Sequence, residues 1–256
     1  MTNILRKYSK ATGFYLDTKK DFFDENTKLL SQALEQNKLY GKQPERNNCK
    51  ICESKLSPNT DFTSHGLRYK FCNECSHLNG AHEDTKSFIE DMYITDEGSD
   101  YSNNYIDDNF VKRSEDIYIP KVDFLTESIG RNDYTILDVG CGSGYFVHAA
   151  LNRGIKAKGL DVSKSMVAFG NNQISHHIGV TPLEYADETG FYEAIVNSSQ
   201  DVISAIGVIE HLREPQRFFD AFQKSNAYYL YYSVPMFSNT VFFEFINQDV
   251  FPRQLS

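Results

Sequence analysis

The sequence predicts an α/β chain: a doubly wound, mostly parallel sheet with a small cysteine-clamped domain ahead of it. Three observations carry this expectation. From Tyr134 onward, apolar runs short enough to be buried strands alternate with stretches of helical period. Within that half, Ile136 to Phe146 reads ILDVGCGSGYF, a strand that turns tightly on glycines into a helix. Four of the five cysteines fall into two C-x-x-C pairs, CKIC and CNEC.

At 256 residues the chain has room for one large or two modest domains, and 40% hydrophobic residues suffice for a core. A net charge of -9 argues against a general nucleic-acid or membrane-surface binder, which needs a basic face, although a local basic patch stays open. The opening MTNILRKYSK has no apolar run of the signal-peptide kind, and no apolar stretch reaches the roughly eighteen residues of a membrane helix. The expectation is a cytoplasmic protein without a membrane partner, and with nucleic acid disfavoured as a partner.

Residues 1–44 read as a polar leader and one helix, because Phe22, Phe23, Leu29, Leu30, Ala33 and Leu34 recur at helical spacing and Gly41 and Pro44 stop it. Its apolar stripe packs on the body of the protein or on a second copy, so a homo-oligomer is one expectation. Residues 45–80 carry Cys49, Cys52, Cys72 and Cys75. Each pair can form the tight turn of a zinc knuckle, and four thiolates complete a closed tetrahedral site, so the Zn2+ of this zinc-ribbon-like domain would be structural. His65, His77 and His82 are near enough in sequence to replace a thiolate, and redox-active or merely buried thiols are the alternative. Residues 81–132 hold the acidic, tyrosine-rich run YITDEGSDYSNNYIDDNF. It reads either as a solvated linker or as a lid whose Tyr93, Tyr101 and Tyr105 close over a bound ligand. Tyr118, Val122, Leu125 and Ile129 then give a helix ending at Gly130.

Residues 133–256 form the α/β core. Strands are expected near 135–139, 156–161, 180–185, 201–206 and 227–234, and helices near 144–153, 163–172, 187–197 and 215–225. Ser163 suits an N-cap, Gly154 a C-cap and Pro215 a first helical turn. His176 and His177 fall in a polar connection and His148 in a helix interior, and all three read as structural.

The glycine turn is a ligand cradle, and its spacing limits the ligand. In a G-x-G-x-x-G count the sixth position from Gly140 is Tyr145 and from Gly142 is Val147, so the dinucleotide pattern fails; no Gly-Lys-Ser/Thr follows, so the phosphate-loop pattern fails too. The carboxylate of Asp138 beside the loop would repel a pyrophosphate and suit a cation. Asp138, Gly140, Gly142 and Gly144 complete a D/E-x-G-x-G-x-G motif, and here the chain resembles the Rossmann-like S-adenosylmethionine-dependent methyltransferases. The resemblance implies that the loop, with Cys141 inside it, holds S-adenosylmethionine, whose sulfonium and ammonium are cationic. It also implies that Asp161, which closes the apolar stretch KAKGLDV, binds the ribose, since a carboxylate can accept two hydrogen bonds from a cis-diol. Of the acids after the third strand, Asp187 rather than Glu184 is expected beside the adenine, and Tyr101 over the cofactor.

Methyl transfer from a sulfonium is an in-line displacement with an activated leaving group, so the protein supplies proximity, alignment and any proton removal. The fourth strand runs into GVIEHLREP, which sets Glu210 and His211 at the ligand-binding edge. His211 is the candidate general base and Glu210 the residue that orients it or contacts substrate; the plain alternative is a histidine capping the next helix. Two C-x-x-C pairs, an aromatic linker and this core, in that order, resemble bacterial sugar C-methyltransferases acting on nucleotide-linked ketosugars, over roughly residues 48–235. That resemblance implies a small, sugar-like acceptor and a base, His211 by match, that removes the proton alpha to a ketone so that the enolate attacks the methyl group. An RNA or protein methyltransferase gripping substrate through the ribbon, and a non-catalytic cofactor-fold scaffold, are the other readings. The family core has seven strands, five are counted here, and the tail VFFEFINQDVFPRQLS is no convincing terminal hairpin, so a C-terminally truncated piece is expected.

Overall fold

The computed structural model describes residues 26–93 and 109–234 together with Ile4, so Phe22, Phe23, Tyr101, Tyr105 and the tail after residue 234 lie outside the described residues. The chain divides into two compact units: among the described residues the smaller takes 26–91 and 210–216, and the larger 92–93, 109–209 and 217–234.

The smaller unit opens with helix α1 (Asn26–Tyr40), followed by a three-stranded antiparallel sheet of β1 (Phe62–Ser64), β2 (Leu67–Phe71) and β3 (Leu78–Gly80), and by helix α2 (Lys86–Tyr93). His65 and Gly66 join β1 to β2 with both φ angles positive, at 48° and 78°, the two-residue turn whose twist matches paired strands. The register puts Phe62 opposite Tyr69, and their rings stack at 5.0 Å. Asn37 of α1 donates through Nδ2 to the His65 carbonyl at 2.8 Å, which ties the helix to that hairpin. At the end of α1 the Tyr40 hydroxyl donates to the His82 carbonyl and its ring packs edge-on to His82 and against Phe88.

The larger unit begins with α3 (Phe110–Arg113), a π-helical turn (Ser114–Tyr118) and α4 (Ile119–Ile129), which run on without a break in helical dihedrals. The helix expected from Tyr118 therefore starts at Phe110. At the start of the wide turn Ser114, fully buried, donates its hydroxyl to the Tyr145 carbonyl at 3.1 Å and meets His148 Nδ1 at 2.8 Å. Gly130, at φ 79°, closes α4 as the sequence requires.

Strands β4 (Thr135–Val139), β5 (Lys156–Asp161), β6 (Leu183–Tyr185), β7 (Val202–Ile206) and β8 (Tyr229–Ser233) alternate with α5 (Tyr145–Asn152), α6 (Lys164–Ile178), α7 (Glu188–Val196) and α8 (Pro215–Lys224). All pairings are parallel and the order is β6-β5-β4-β7-β8. Four of the five residues in each of β4 and β7 are buried in a continuous run, as expected for strands covered on both faces. The core gathers Phe110, Val122 and Leu125 from the leading helices, Ile136 from β4 and Phe146 and Val147 from α5. Asp201, just ahead of β7, accepts from the Thr135 backbone N–H and hydroxyl at 2.8 and 2.9 Å, locking the register at the start of the two central strands. Because the chain runs outward through β5 and β6 and returns to β7, the direction of winding reverses beside β4, and ligands in such sheets bind at the carboxyl ends flanking that reversal.

Two further elements differ from expectation. Helix α6 extends to Ile178, so His176 and His177 sit in its last turn rather than in a connection, and the strand expected from 180 begins at Leu183. Ile174 and Ile178 continue the apolar stripe past Asn171 and Asn172, and Gly179 at φ 85° supplies the stop. Among the described residues no helix is long and apolar enough to cross a membrane.

Candidate functional site

The turn between β4 and α5 is built on three left-handed glycines, Gly140 at φ 68°, Gly142 at 55° and Gly144 at 75°. A side chain at Gly140 would bring its Cβ to 2.5 Å from Val208, so glycine is required there for space as well as for conformation. Asp138, at the end of β4, is 3% exposed and accepts from the Ser204 hydroxyl of β7 at 2.7 Å. Burial pushes its carboxyl up to about 7, helped by the nearby charge of Asp161 and opposed by the Ser204 hydrogen bond and by Lys121.

Asp161 ends β5 and is also buried. Its Oδ2 accepts the Gly142 N–H at 2.7 Å and its Oδ1 the Ser163 N–H at 2.8 Å. Burial raises its pKa, with those backbone donors pulling the other way. The acid thus fastens the glycine loop to the start of α6, a duty the sequence did not reveal. The Val162 N–H adds to these backbone donors, which leaves the carboxylate room for about one more. Cys141, half-buried between the first two glycines, donates its N–H to the Leu160 carbonyl at 2.9 Å, and burial pushes its thiol well up. Ser143 was also missed: it is 1% exposed and its Oγ has no hydrogen-bond partner among the described residues. Buried polar atoms are nearly always paired, so an orphan in a glycine cradle marks a place for a ligand atom.

Other candidates fall elsewhere. Asp187 is exposed and caps α7, its Oδ1 accepting the Gly190 N–H at 2.8 Å. Tyr93 ends α2, and Tyr101 is outside the described residues. Glu210 and His211 lie in a short 3-10 turn (Ile209–His211), two residues beyond the Val208 that packs on Gly140, and residues 210–216 group with the smaller unit. Burial raises the Glu210 pKa, and its Oε2 is buried without a partner among the described residues. Burial lowers the His211 pKa, the Lys50 charge lowers it further and Asp84 opposes.

The sulfurs of Cys49, Cys52, Cys72 and Cys75 all lie within 4.8 Å of one another, with Cys49–Cys75 at 3.6 Å and Cys52–Cys72 at 3.5 Å. Zn–S bonds of about 2.3 Å in a tetrahedron set the sulfurs roughly 3.8 Å apart, so the cage fits the ion. The two turns share one geometry. In each, the first cysteine N–H donates to the carbonyl five residues on, Ser54 or His77, and its carbonyl accepts from the residue four on, Glu53 or Ser76. Glu53 and Ser76 both sit at φ 60°, a left-handed position that no glycine announces in the sequence. His82 is occupied elsewhere, Nδ1 on the Gln43 carbonyl at 2.7 Å, and His65 Nδ1 meets Ser64 Oγ at 3.0 Å.

A family profile described as a methyltransferase domain matches residues 137–226. The chain is similar to the ubiquinone biosynthesis O-methyltransferase of Pseudomonas paraeruginosa, at 29% identity over 106 residues, 41% of this chain and 44% of that protein. It is similar also to the protein of the same name from Coxiella burnetii, at 26% over 99 residues, 38% of this chain and 41% of that one. The chain therefore spans less than half the length of these curated relatives. Among solved structures it is similar to magnesium protoporphyrin IX methyltransferase from Synechocystis with bound SAH, at 16% identity and a TM-score of 0.46, covering 67% of this chain and 81% of that one. The matched stretch runs from the strand that carries Asp138 to the end of α8 and takes in the whole glycine turn, so the similarity to a methyltransferase domain falls on the candidate site itself.

Proposed function

We propose that this chain transfers a methyl group from S-adenosylmethionine to a small metabolite, and that its four cysteines hold one structural zinc ion. The observation that carries the reading is the turn after β4: three left-handed glycines, one of them fastened by Asp161, inside the stretch similar to a methyltransferase domain. S-adenosylmethionine supplies, when bound, a methyl group on a sulfonium that needs no further activation. The residues that would hold it are the turn from Gly140 to Gly144 with Cys141 inside it, Ser143 Oγ as a buried contact, Asp138 as a negative charge suited to a cation, and the remaining acceptor capacity of Asp161 for the ribose. Asp187, exposed with one oxygen still open, is the candidate for the adenine. A four-sulfur cage has no open position, so the zinc contributes folding stability rather than catalysis.

The acceptor is assigned to a sugar-like carbon on the order of modules, with His211 removing the proton and Glu210 beside it. One observation favours an oxygen acceptor instead: the curated relatives are named O-methyltransferases. Calorimetry with S-adenosylmethionine and S-adenosylhomocysteine on protein of measured zinc content tests the core of the reading. Binding of both with one zinc per chain supports it, and a folded, zinc-loaded chain that binds neither overturns it. His211→Ala should then abolish turnover on the accepted substrate while leaving cofactor binding intact.

A further inference from the structure

We propose that Asn79 is a positioning residue for the cysteine cage: one buried amide donates to the Cys49 sulfur and bonds both cysteine turns, and so sets how tightly the cage holds a metal ion. The inference rests on the zinc reading above and goes beyond it by naming a residue outside the four cysteines that governs the site.

Asn79 is the middle residue of β3, 2% exposed, and sits opposite Lys70 of β2 in the register. Its side chain makes three contacts. Oδ1 accepts the Lys50 N–H at 2.9 Å, inside the first cysteine turn. Nδ2 donates to the His77 carbonyl at 3.1 Å, the same oxygen that accepts the Cys72 N–H at 2.9 Å and closes the second turn. Nδ2 also donates to Cys49 Sγ at 3.6 Å. A primary amide has two N–H donors and one carbonyl oxygen, so both donors are spent and the acceptor is engaged. The same contacts fix which way the amide faces. Turned over, its oxygen would meet a carbonyl and a sulfur, and its N–H groups would meet the Lys50 N–H.

The two turns are separated by nineteen residues of sequence, and a single strand residue that bonds both holds them at a fixed spacing. A four-sulfur tetrahedron depends on that spacing more than on the shape of either turn alone. The contact to sulfur adds a second effect. The metal ligand is the thiolate rather than the thiol, and a donor aimed at an ionised acceptor makes a bond roughly twice as strong as a neutral one. Residues that bond a metal ligand from behind change metal affinity by about 10–100-fold when replaced. The plain alternative is a buried amide that is merely satisfied by its neighbours, supporting β3 without bearing on the metal–sulfur bonds. The two differ in what the sulfur feels.

The test pairs zinc affinity, read by competition with a chromogenic chelator, with the thiolate-to-metal charge-transfer band of the cobalt-loaded full chain, and circular dichroism checks folding. Asn79→Asp keeps the shape and the acceptor for the Lys50 N–H but loses both donations. It should weaken zinc binding by about 10–100-fold and move the cobalt band to longer wavelength, because no donor then stabilises the sulfur lone pair. Asn79→Ala, which adds no charge, should move the band the same way; if it fails to fold, the aspartate variant decides. A structural role alone would leave the band in place. An unmoved band in Asn79→Asp, with or without a loss of affinity, therefore overturns the proposal while the zinc reading stands. A folded wild-type chain that takes up neither zinc nor cobalt overturns the zinc reading, and the proposal with it.

Discussion

Ser204→Ala tests the electrostatics of the cofactor cradle without touching a residue expected to contact the cofactor. Asp138 has no solvent to stabilise its charge, so its pKa is pushed up to about 7, and the Ser204 hydroxyl at 2.7 Å, more than the Lys121 charge, holds it from going higher. A hydrogen bond to a charged group contributes about 1.5–3 kcal/mol net, part of which survives with the neutral acid, so its loss should raise the pKa by roughly one unit at 1.36 kcal/mol per unit. A cationic ligand favours the ionised acid, and affinity should therefore tighten as pH rises towards the midpoint and level off above it. In Ser204→Ala the plateau moves up by about one unit, so binding near neutral pH weakens about fivefold while the high-pH limit is kept. Calorimetry from about pH 6 to 9 reads this directly, and S-adenosylhomocysteine, which lacks the sulfonium, should show a shallower dependence. For the ligand-free fold the sign is the reverse. A raised pKa means the native state holds its proton longer, so this group's contribution to stability is full below the ordinary carboxylate range and is lost as pH rises through about 7. Wild-type affinity that is flat across neutral pH, or a midpoint unmoved by the substitution, would refute the reasoning.

Gly140→Ala forces a Cβ onto Val208 at a φ of 68°, and should cost at least about 1–2 kcal/mol in strain and weaken cofactor binding tenfold or more, checked by urea denaturation and calorimetry. Glu53→Gly removes a side chain from a left-handed position in the first cysteine turn and should stabilise the zinc-loaded protein by about 0.5–1 kcal/mol in the same denaturation assay. Phe110→Ala deletes a buried ring stacked on Tyr145 at 4.6 Å and set edge-on to His148 at 5.1 Å, for an expected loss of about 3–5 kcal/mol; a loss under about 1 kcal/mol would mean that the leading helix is not part of the folded core.

The strands from Thr135 to Ser233 were legible because each is a short apolar run closed by glycine or a polar turn, and Ser163, Gly130 and Pro215 marked helix ends by chemistry that acts locally. The four-cysteine cage was legible for the same reason, since two residues between thiols suffice to turn the chain. What escaped the sequence depends on partners distant along it. Nothing in LDV says that Asp161 will bond the Gly142 N–H, and nothing in GCGSGYF flags Ser143 as an orphan, because both follow from how β4, β5 and α5 are set together. The partners of Ser114 in the π turn, Tyr145 and His148, lie some thirty residues on. Glu53 and Ser76 take the left-handed position usually given to glycine, so the usual marker was missing. The end of α6 was misplaced because two asparagines and two histidines masked a stripe that only Ile174 and Ile178 continue.

The bond from Gly142 to Asp161 has a kinetic meaning. A loop already tethered to the neighbouring strand before any ligand arrives has little ordering left to do on encounter, so association should proceed in a single step with a modest loss of chain entropy. The cofactor and its spent form would then exchange at rates set by their own contacts rather than by the opening of the glycine turn, and cutting the tether with Asp161→Ala should convert a one-phase stopped-flow trace into two.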